Sequence, residues 1–142
     1  MLNQPINVIP SVLSGVGEGV IDATEPLTVS WQVSGNSPML AYQIVIQQNT
    51  DESTQMYTTG KVTLANPFYG TNYKGVQQTF SATAITASAL SSAGIVNGYA
   101  NGYKIEITQW WGATDADSIT QTSPSVFITR ATPSVSISRF YR

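Results

Sequence analysis

The strongest constraint on the fold is a strict alternation of apolar and polar residues near the C-terminal end of the chain. The segment reads Tyr103-Lys-Ile-Glu-Ile-Thr108. Because successive side chains of a strand point to opposite faces, one face here is apolar and the other is hydrated. A Gly/Asp-rich turn leads to a second segment, Ser118–Thr129, as expected for neighbouring antiparallel strands. The pattern predicts an antiparallel sheet with one face packed on a hydrophobic core and the other face in water.

Other segments show the same period of two. Leu27–Val33 and Ala41–Gln47 alternate in the same way, with Trp31 and Tyr42 on their apolar faces. Shorter elements are predicted as follows: strands at Gln55–Thr59 and Gln77–Ala84, a continuation or a new strand at Lys61–Leu64, a long loop at Ala65–Gly75, and one or two helical turns at Thr86–Gly94. Turn signals roughly every 8–12 residues are typical of a β-sandwich of seven to eight strands, and long helices do not alternate with these strands.

The length of the chain suits one domain. Its 142 residues can bury a core without disulfides. Residues 1–11 are predicted to form an N-terminal arm or first strand, and residues 12–130 the sandwich itself. Residues 131–142 are predicted to be a C-terminal extension, or the start of a following domain.

The charge content excludes several classes of function. Only 10% of the residues are charged, where roughly 25% is usual. The net charge is −2 and the six basic residues form no stripe, so we expect no nucleic-acid partner. No apolar run approaches the ~18 residues that span a bilayer, so we expect no membrane partner.

The cellular location is predicted from composition and from the N-terminus. A surface of Ser, Thr, Gln and Asn is typical of extracellular or virion β-proteins. Met1–Pro10 lacks the basic start and apolar run of a secretory signal. These features indicate synthesis in a cytoplasm and release by another route, such as assembly into a virus particle, or a segment taken from a longer protein.

The acid–base inventory argues against an enzyme. The chain has no His and no Cys, which removes the commonest general base and the thiol nucleophile. The acidic residues lie mostly in predicted turns: Glu18, Asp22, Glu25, Asp51, Glu52, Glu106, Asp115 and Asp117. We expect no catalytic residues and no cofactor. Asp115, Asp117 and Ser118 supply oxygen ligands suited to Ca²⁺, but we expect a hairpin turn with Asp caps instead of a metal site.

Two groups of aromatic residues are candidate binding sites. Alternation from Tyr103 predicts that Trp111 points inward and Trp110 outward, where Trp110 is either an exposed platform for a sugar or protein, or is covered within the chain. Phe68, Tyr69 and Tyr73 either form a recognition loop or pack the loop against itself. These five residues are the predicted interface or glycan-binding candidates.

The order of inward-facing residues resembles a fibronectin type III or immunoglobulin-like domain. Trp31 is similar to the buried Trp of the family's second strand, and Tyr42 to the aromatic that opens its third strand. Leu90 matches the buried Leu between the sheets, and Tyr103 the corner tyrosine before the sixth strand. The resemblance implies an antiparallel β-sandwich in which the Tyr103 hydroxyl bonds backbone near Ile95–Asn97.

The amino-acid sequence of the Gly94–Ile105 segment is also similar to that of sandwich domains in bacteriophage structural proteins. That resemblance implies a non-enzymatic module of a virion, as a capsid decoration, tail or fibre component, located on the virion or an extracellular surface. Its partners would be other structural proteins, or copies of itself joined through arms or edge strands. The alternative function is a carbohydrate-binding or adhesin module that uses the aromatic candidates.

Overall fold

The computed structural model describes residues 5–6, 20–33, 38–71, 74–76, 78–122 and 128–129. Within these residues the chain is mostly β, with antiparallel sheets and one short α-helix. Most of the predicted N-terminal arm, and the whole of the predicted C-terminal extension 131–142, lie outside the described residues. Residues 5–6 of the arm form a first short strand.

The strands in chain order are β1 (Pro5–Ile6), β2 (Val20–Ile21), β3 (Ser30–Val33), β4 (Met39–Gln48), β5 (Gln55–Thr58), β6 (Val62–Phe68), β7 (Thr79–Ser81), β8 (Tyr103–Trp110), β9 (Ser118–Thr122) and β10 (Ile128–Thr129). Helix α1 (Ala87–Ser92) lies between β7 and β8. A single 3-10 turn (Asp115–Asp117) lies between β8 and β9.

Two antiparallel sheets contain most of these strands. The first sheet has the order β1-β3-β7. The second has the order β5-β4-β8-β9, and β6 also pairs with β4. The ladder between β4 and β8 runs without interruption from Ala41 opposite Trp110 to Gln48 opposite Tyr103. β2 and β10 form a separate parallel pair.

The alternation in β4 and β8 places one row of side chains in the core. The inward row is fully or almost fully buried and consists of Tyr42, Ile44, Ile46, Tyr103, Ile105 and Ile107. The opposite row includes Gln43 and Thr108, which are half-buried. The strands predicted from Ala41–Gln47 and from Tyr103 onward are therefore confirmed.

Trp31 of β3 connects the two sheets through its ring. The indole is 1% exposed and lies 5.6 Å from the Tyr42 ring of β4, at an interplanar angle of 68°. Phe80 of β7 packs against both, 5.1 Å from Trp31 and 5.3 Å from Tyr42. The Trp31 Nε1–H donates a 3.0 Å hydrogen bond to Oε1 of Gln109 on β8. The first sheet therefore packs on the second by aromatic contact and by one buried hydrogen bond.

Helix α1 begins and ends with recognisable caps. The Thr86 hydroxyl accepts a hydrogen bond from the Ala89 N–H, as an N-cap side chain does. Gly94 adopts φ +81°, and the N–H of Ile95 donates to the carbonyl of Leu90, which is the Schellman pattern. The predicted helical turns at Thr86–Gly94 are confirmed, and Leu90 is buried as expected.

The corner hydrogen bond expected for Tyr103 is present. Tyr103 is buried, and its hydroxyl accepts a 3.4 Å hydrogen bond from the backbone N–H of Val96. Tyr99 packs beside it, with ring centroids 5.0 Å apart. The hydroxyl thereby fastens the segment after α1 to the start of β8.

Several element boundaries differ from prediction. The predicted strand Leu27–Val33 forms a strand only over Ser30–Val33, and the predicted segment Ser118–Thr129 contains β9 (Ser118–Thr122) and β10 (Ile128–Thr129). The expected loop at Ala65–Gly75 begins later, because β6 continues to Phe68, with Val62 and Phe68 packed against the core. Beyond it, Gly70 lies so close to the Val33 carbonyl that a Cβ would clash with backbone, so only glycine fits. The predicted strand Gln77–Ala84 is shorter and covers only Thr79–Ser81.

The buried bond between Trp31 and Gln109 makes a testable contribution to stability. Trp31→Phe removes the donor and leaves the Gln109 amide unpaired in the core, so the free energy of unfolding should fall by about 2–4 kcal/mol. Adding Gln109→Met replaces the unpaired amide by an apolar chain of similar length and should recover about 1 kcal/mol or more. Urea unfolding of the wild type, both single variants and the double variant measures this coupling. Strictly additive effects would contradict it.

Candidate functional site

Trp110 occupies the last position of β8, on the face away from Trp31. The neighbouring residue Gln109 is fully buried on the inner side, so alternation directs Trp110 outward, as predicted. Trp110 is nevertheless only 6% exposed. The Lys61 Nζ lies 4.7 Å from the centroid of its ring, and its Nε1–H donates a 3.2 Å hydrogen bond to Asp115 Oδ1. Of the two alternatives left open by the sequence, the structure has Trp110 covered within the chain.

Lys61 and Asp115 hold the Trp110 ring from different directions. A cation over the face of an indole is attracted by the negative charge of its π-system. The carboxylate of Asp115 satisfies the N–H at the edge of the same ring. This arrangement ties the start of β6 to the turn that follows β8. It leaves little of the ring for a flat ligand, so Trp110 is not an exposed platform.

Trp111 does not continue the alternation of β8. The strand ends at Trp110, and Trp111 lies in the following turn, where it is partly exposed instead of buried. Its backbone N–H donates to the Asp117 carbonyl at 3.0 Å. The prediction that Trp111 points into the core was wrong, because the backbone bends where the ladder ends.

The acidic turn between β8 and β9 uses its side chains within the turn. Thr114 Oγ1 donates to Asp117 Oδ2 at 3.0 Å, and Ser118 Oγ donates to the Asp115 carbonyl at 2.7 Å. With Asp115 on the Trp110 indole, both carboxylates have a local partner. In the described part of the chain, no group of three or more acidic side chains could hold a metal ion.

The structure separates the aromatic candidates of the 68–73 segment. Phe68 ends β6 and packs on Phe80, with ring centroids 5.1 Å apart, so it is partly buried against the core. Tyr69 is 59% exposed and is the most exposed large apolar side chain among the described residues. Tyr73 lies outside the described residues. Tyr69 is therefore the described candidate that is available for contact.

A polar cluster joins the turn after β2 to the segment after α1. Asp22 Oδ1 accepts hydrogen bonds from the Thr24 hydroxyl at 2.7 Å, the Thr24 N–H at 3.0 Å and the Asn97 amide at 3.2 Å. Asn97 Oδ1 in turn accepts from the Ala23 N–H at 2.9 Å. The Thr24 hydroxyl, then the Thr24 N–H and the Asn97 amide, lower the pKa of Asp22 from 3.8 to about 2.

Sequence reasoning missed Gln109 and the Asp22–Asn97 cluster. Gln109 could have been found, because it occupies an inward position of the alternation that starts at Tyr103. Its Nε2 has no hydrogen-bond partner in the described structure, although its Oε1 is paired with Trp31. The contact between Asp22 and Asn97 joins residues 75 positions apart, and no local pattern announces it.

Comparisons with known proteins return nothing that identifies the chain: no family model, no curated protein and no solved structure matches it. Among the described residues, no helix is long and apolar enough to cross a membrane.

The different burial of Trp110 and Tyr69 predicts different effects of truncation. Trp110→Ala removes a buried indole together with its contacts to Lys61 and Asp115, and should cost about 3–5 kcal/mol of unfolding free energy. Tyr69→Ala truncates an exposed side chain and should change stability by no more than about 0.5 kcal/mol. Chemical unfolding followed by circular dichroism checks both values. An unchanged unfolding free energy in Trp110→Ala would contradict the covered position of this ring.

The lowered pKa of Asp22 predicts a specific pH dependence of stability. A carboxyl whose folded pKa lies below its unfolded value stabilises the fold above the unfolded pKa, and this contribution is lost as the pH falls toward the folded pKa. The stability gap between wild type and Asp22→Ala should therefore be full above about pH 4 and shrink toward pH 2. Asp22→Asn keeps an acceptor but not the charge, so its stability should vary less with pH than that of the wild type. Urea midpoints across this range measure all three proteins.

Proposed function

We propose that the protein is a non-enzymatic structural and interaction module, built as a fibronectin type III or immunoglobulin-like β-sandwich, of a phage-type particle. It would act through protein–protein contacts as a capsid decoration, tail or fibre component. The observation that carries the functional part is a patch of uncharged polar side chains, Gln43, Thr108 and Thr120, on the outward face of the larger sheet. The sandwich, the family and the particle are each part of the proposal.

The order of the strands supports the sandwich. In the fibronectin type III arrangement, the first, second and fifth strands form one sheet, and the remaining four form the other. Here β1, β3 and β7 make one sheet, while β4, β5, β8 and β9 make the other, with β6 as an additional strand on β4. Trp31 packs from the first onto Tyr42 of the second.

The corner formed by Tyr103 supports the family. A buried tyrosine near the start of the sixth strand, bonded to backbone a few residues upstream, is a feature of these sandwiches. The Tyr103 hydroxyl accepts from the Val96 N–H, within the segment that the resemblance implied. Leu90 of α1 is buried where the chain crosses from one sheet to the other.

The outward face of the larger sheet supports a role in protein–protein contact and not in catalysis. Gln43 of β4 lies opposite Thr108 of β8, which lies opposite Thr120 of β9. The two threonine hydroxyls are hydrogen-bonded to each other at 2.8 Å. Short uncharged polar groups of this kind can be desolvated at an interface without burying unpaired charge. The acidic groups Asp22, Asp115 and Asp117 instead hold turns.

The carbohydrate-binding alternative now depends chiefly on Tyr69. Trp110 is covered and Phe68 packs against the core, whereas Tyr69 presents its ring to solvent. One exposed ring at the end of a strand can stack on a sugar, but sugar-binding platforms generally need polar groups beside the ring for orientation. A glycan array with wild type and Tyr69→Ala separates this alternative from the particle module.

The particle module predicts that the protein is a stoichiometric part of assembled particles. Gradient-purified particles from the native source should contain it in constant ratio to the major structural protein, as measured by quantitative mass spectrometry across the gradient. Immunogold labelling should place it on the particle. Its absence from particles, combined with glycan binding that Tyr69→Ala abolishes, would reverse the order of the two proposals.

A further inference from the structure

Strand β7 has an open edge. It ends its sheet in the order β1-β3-β7, and among the described strands none pairs with its other side. The Ala82 N–H donates to the Val29 carbonyl at 3.0 Å, and Phe80 lies opposite Trp31 in the register. Because backbone groups alternate between the two sides of a strand, those of Thr79 and Ser81 point away from β3. They form a short template for a further strand.

This edge lacks the charged residues and the proline that lie at the β5 and β6 edges of the larger sheet. The stretch Gln78–Ile85 contains no charged residue, no proline and no glycine. In the larger sheet, by contrast, β6 contains Pro67 and follows Lys61, and β5 follows Asp51 and Glu52. Charges and proline on edge strands prevent pairing with other chains. Their distribution leaves β7 as the unprotected edge among these three.

The sequence of β7 is complementary to itself. In an antiparallel pair with its axis at Phe80, Thr79 of one copy exchanges both backbone hydrogen bonds with Ser81 of the other. The two Phe80 rings then lie opposite each other on the inner face, at the close spacing of a non-hydrogen-bonded pair. Phe80 is only partly buried in one copy, although it already contacts Trp31, Tyr42 and Phe68.

Exposed apolar side chains lie near the start of β7. Tyr69 and Val76 are 59% and 55% exposed. The Gln78 N–H donates to the Gly70 carbonyl at 2.7 Å, which brings the residue after Tyr69 to the start of β7. Two of the three large exposed apolar side chains of the described chain therefore lie near the start of β7. The Gln78 N–H has the same parity as that of Ala82, so Gly70 lies on the β3 side of β7, beside Val33.

We propose that the protein forms a two-fold dimer in which β7 pairs antiparallel with β7 of a second copy, joining the two small sheets into one continuous sheet. The dimer names the first partner of the proposed interaction module, but it requires only the described residues and not the particle. Phe80 lies at its axis, and the backbone groups of Thr79 and Ser81 make the hydrogen bonds on each side of it.

Sedimentation velocity of the full chain over a wide range of concentration tests the dimer. The wild type should show a monomer–dimer equilibrium. Thr79→Lys with Ser81→Lys places like charges directly opposite each other on both sides of the axis, and should weaken association by about tenfold or more. Both side chains are exposed, but Ser81→Lys also removes the 3.0 Å hydrogen bond between the hydroxyls of Ser81 and buried Ser30, so circular dichroism and a urea midpoint have to show that the double variant is folded. The matched control is Gln55→Lys with Thr63→Lys, at exposed positions of β5 and β6 in the larger sheet. It should associate as the wild type does.

A charge-swap mixture tests the register. The variant with Thr79→Lys and Ser81→Lys, and a second variant with Thr79→Glu and Ser81→Glu, should each be monomeric alone. Mixed in equal amounts they should form a heterodimer, because each introduced lysine then faces a glutamate of the other chain. Failure of the mixture to associate would overturn the Phe80-centred pairing.

A wild type that is monomeric at every concentration would overturn the dimer, and so would a dimer that is insensitive to the double lysine substitution. These results are distinguishable from failure of the proposed function. The particle experiment measures whether the protein is present in particles, and a monomeric protein can be present there as well as a dimer. Conversely, a protein that forms the β7 dimer but is absent from particles would support the dimer and contradict the proposed role in a particle.

Discussion

The buried hydrogen bond from Trp31 to Gln109 is the constraint on which the arrangement of the two sheets depends. An indole N–H taken out of water requires an acceptor, and here the acceptor is an amide on the facing sheet. A shift of β8 by one residue would put Trp110 or Thr108 in place of Gln109 and reverse both faces of the strand. The pair therefore fixes the register of β8 relative to β3, in addition to joining the layers.

The parts of the fold that the sequence predicted are those where one face of a strand is buried along its whole length. The period of two in Ala41–Gln47 and from Tyr103 onward is enforced by the core, so the side-chain directions were correct. Prediction failed where a ladder ends: Trp111 follows the backbone into a turn, and β6 extends to Phe68 because its side chain reaches Phe80. Trp110 showed that direction does not determine exposure, since Lys61 comes from a distant part of the chain.

The scarcity of charge determines how the few charged groups are used. Asp22, Asp115 and Lys61 each stabilise a contact between segments that are not neighbours in the ladder: a turn with the segment after α1, or the start of β6 with the end of β8. Apart from Lys104 and Glu106 of β8, the outward positions of the described strands are covered mainly by uncharged residues such as Thr, Ser and Gln. The exposure of the aromatic candidates could not be predicted from the sequence. Whether such a ring is exposed depends on whether side chains from distant parts of the chain cover it.

A neutral surface has opposite consequences for solubility and for assembly. Charge on an edge strand keeps copies apart, and its removal lowers the cost of bringing two backbones together. In this chain Lys61, Pro67, Asp51 and Glu52 occur near the edges of the larger sheet, whereas β7 has only hydroxyls and a half-buried ring. A domain that has to stay monomeric would gain from a single lysine in place of Thr79, whose side chain is exposed. The uncharged β7 edge is therefore consistent with a molecule whose outside is made for contact with other chains.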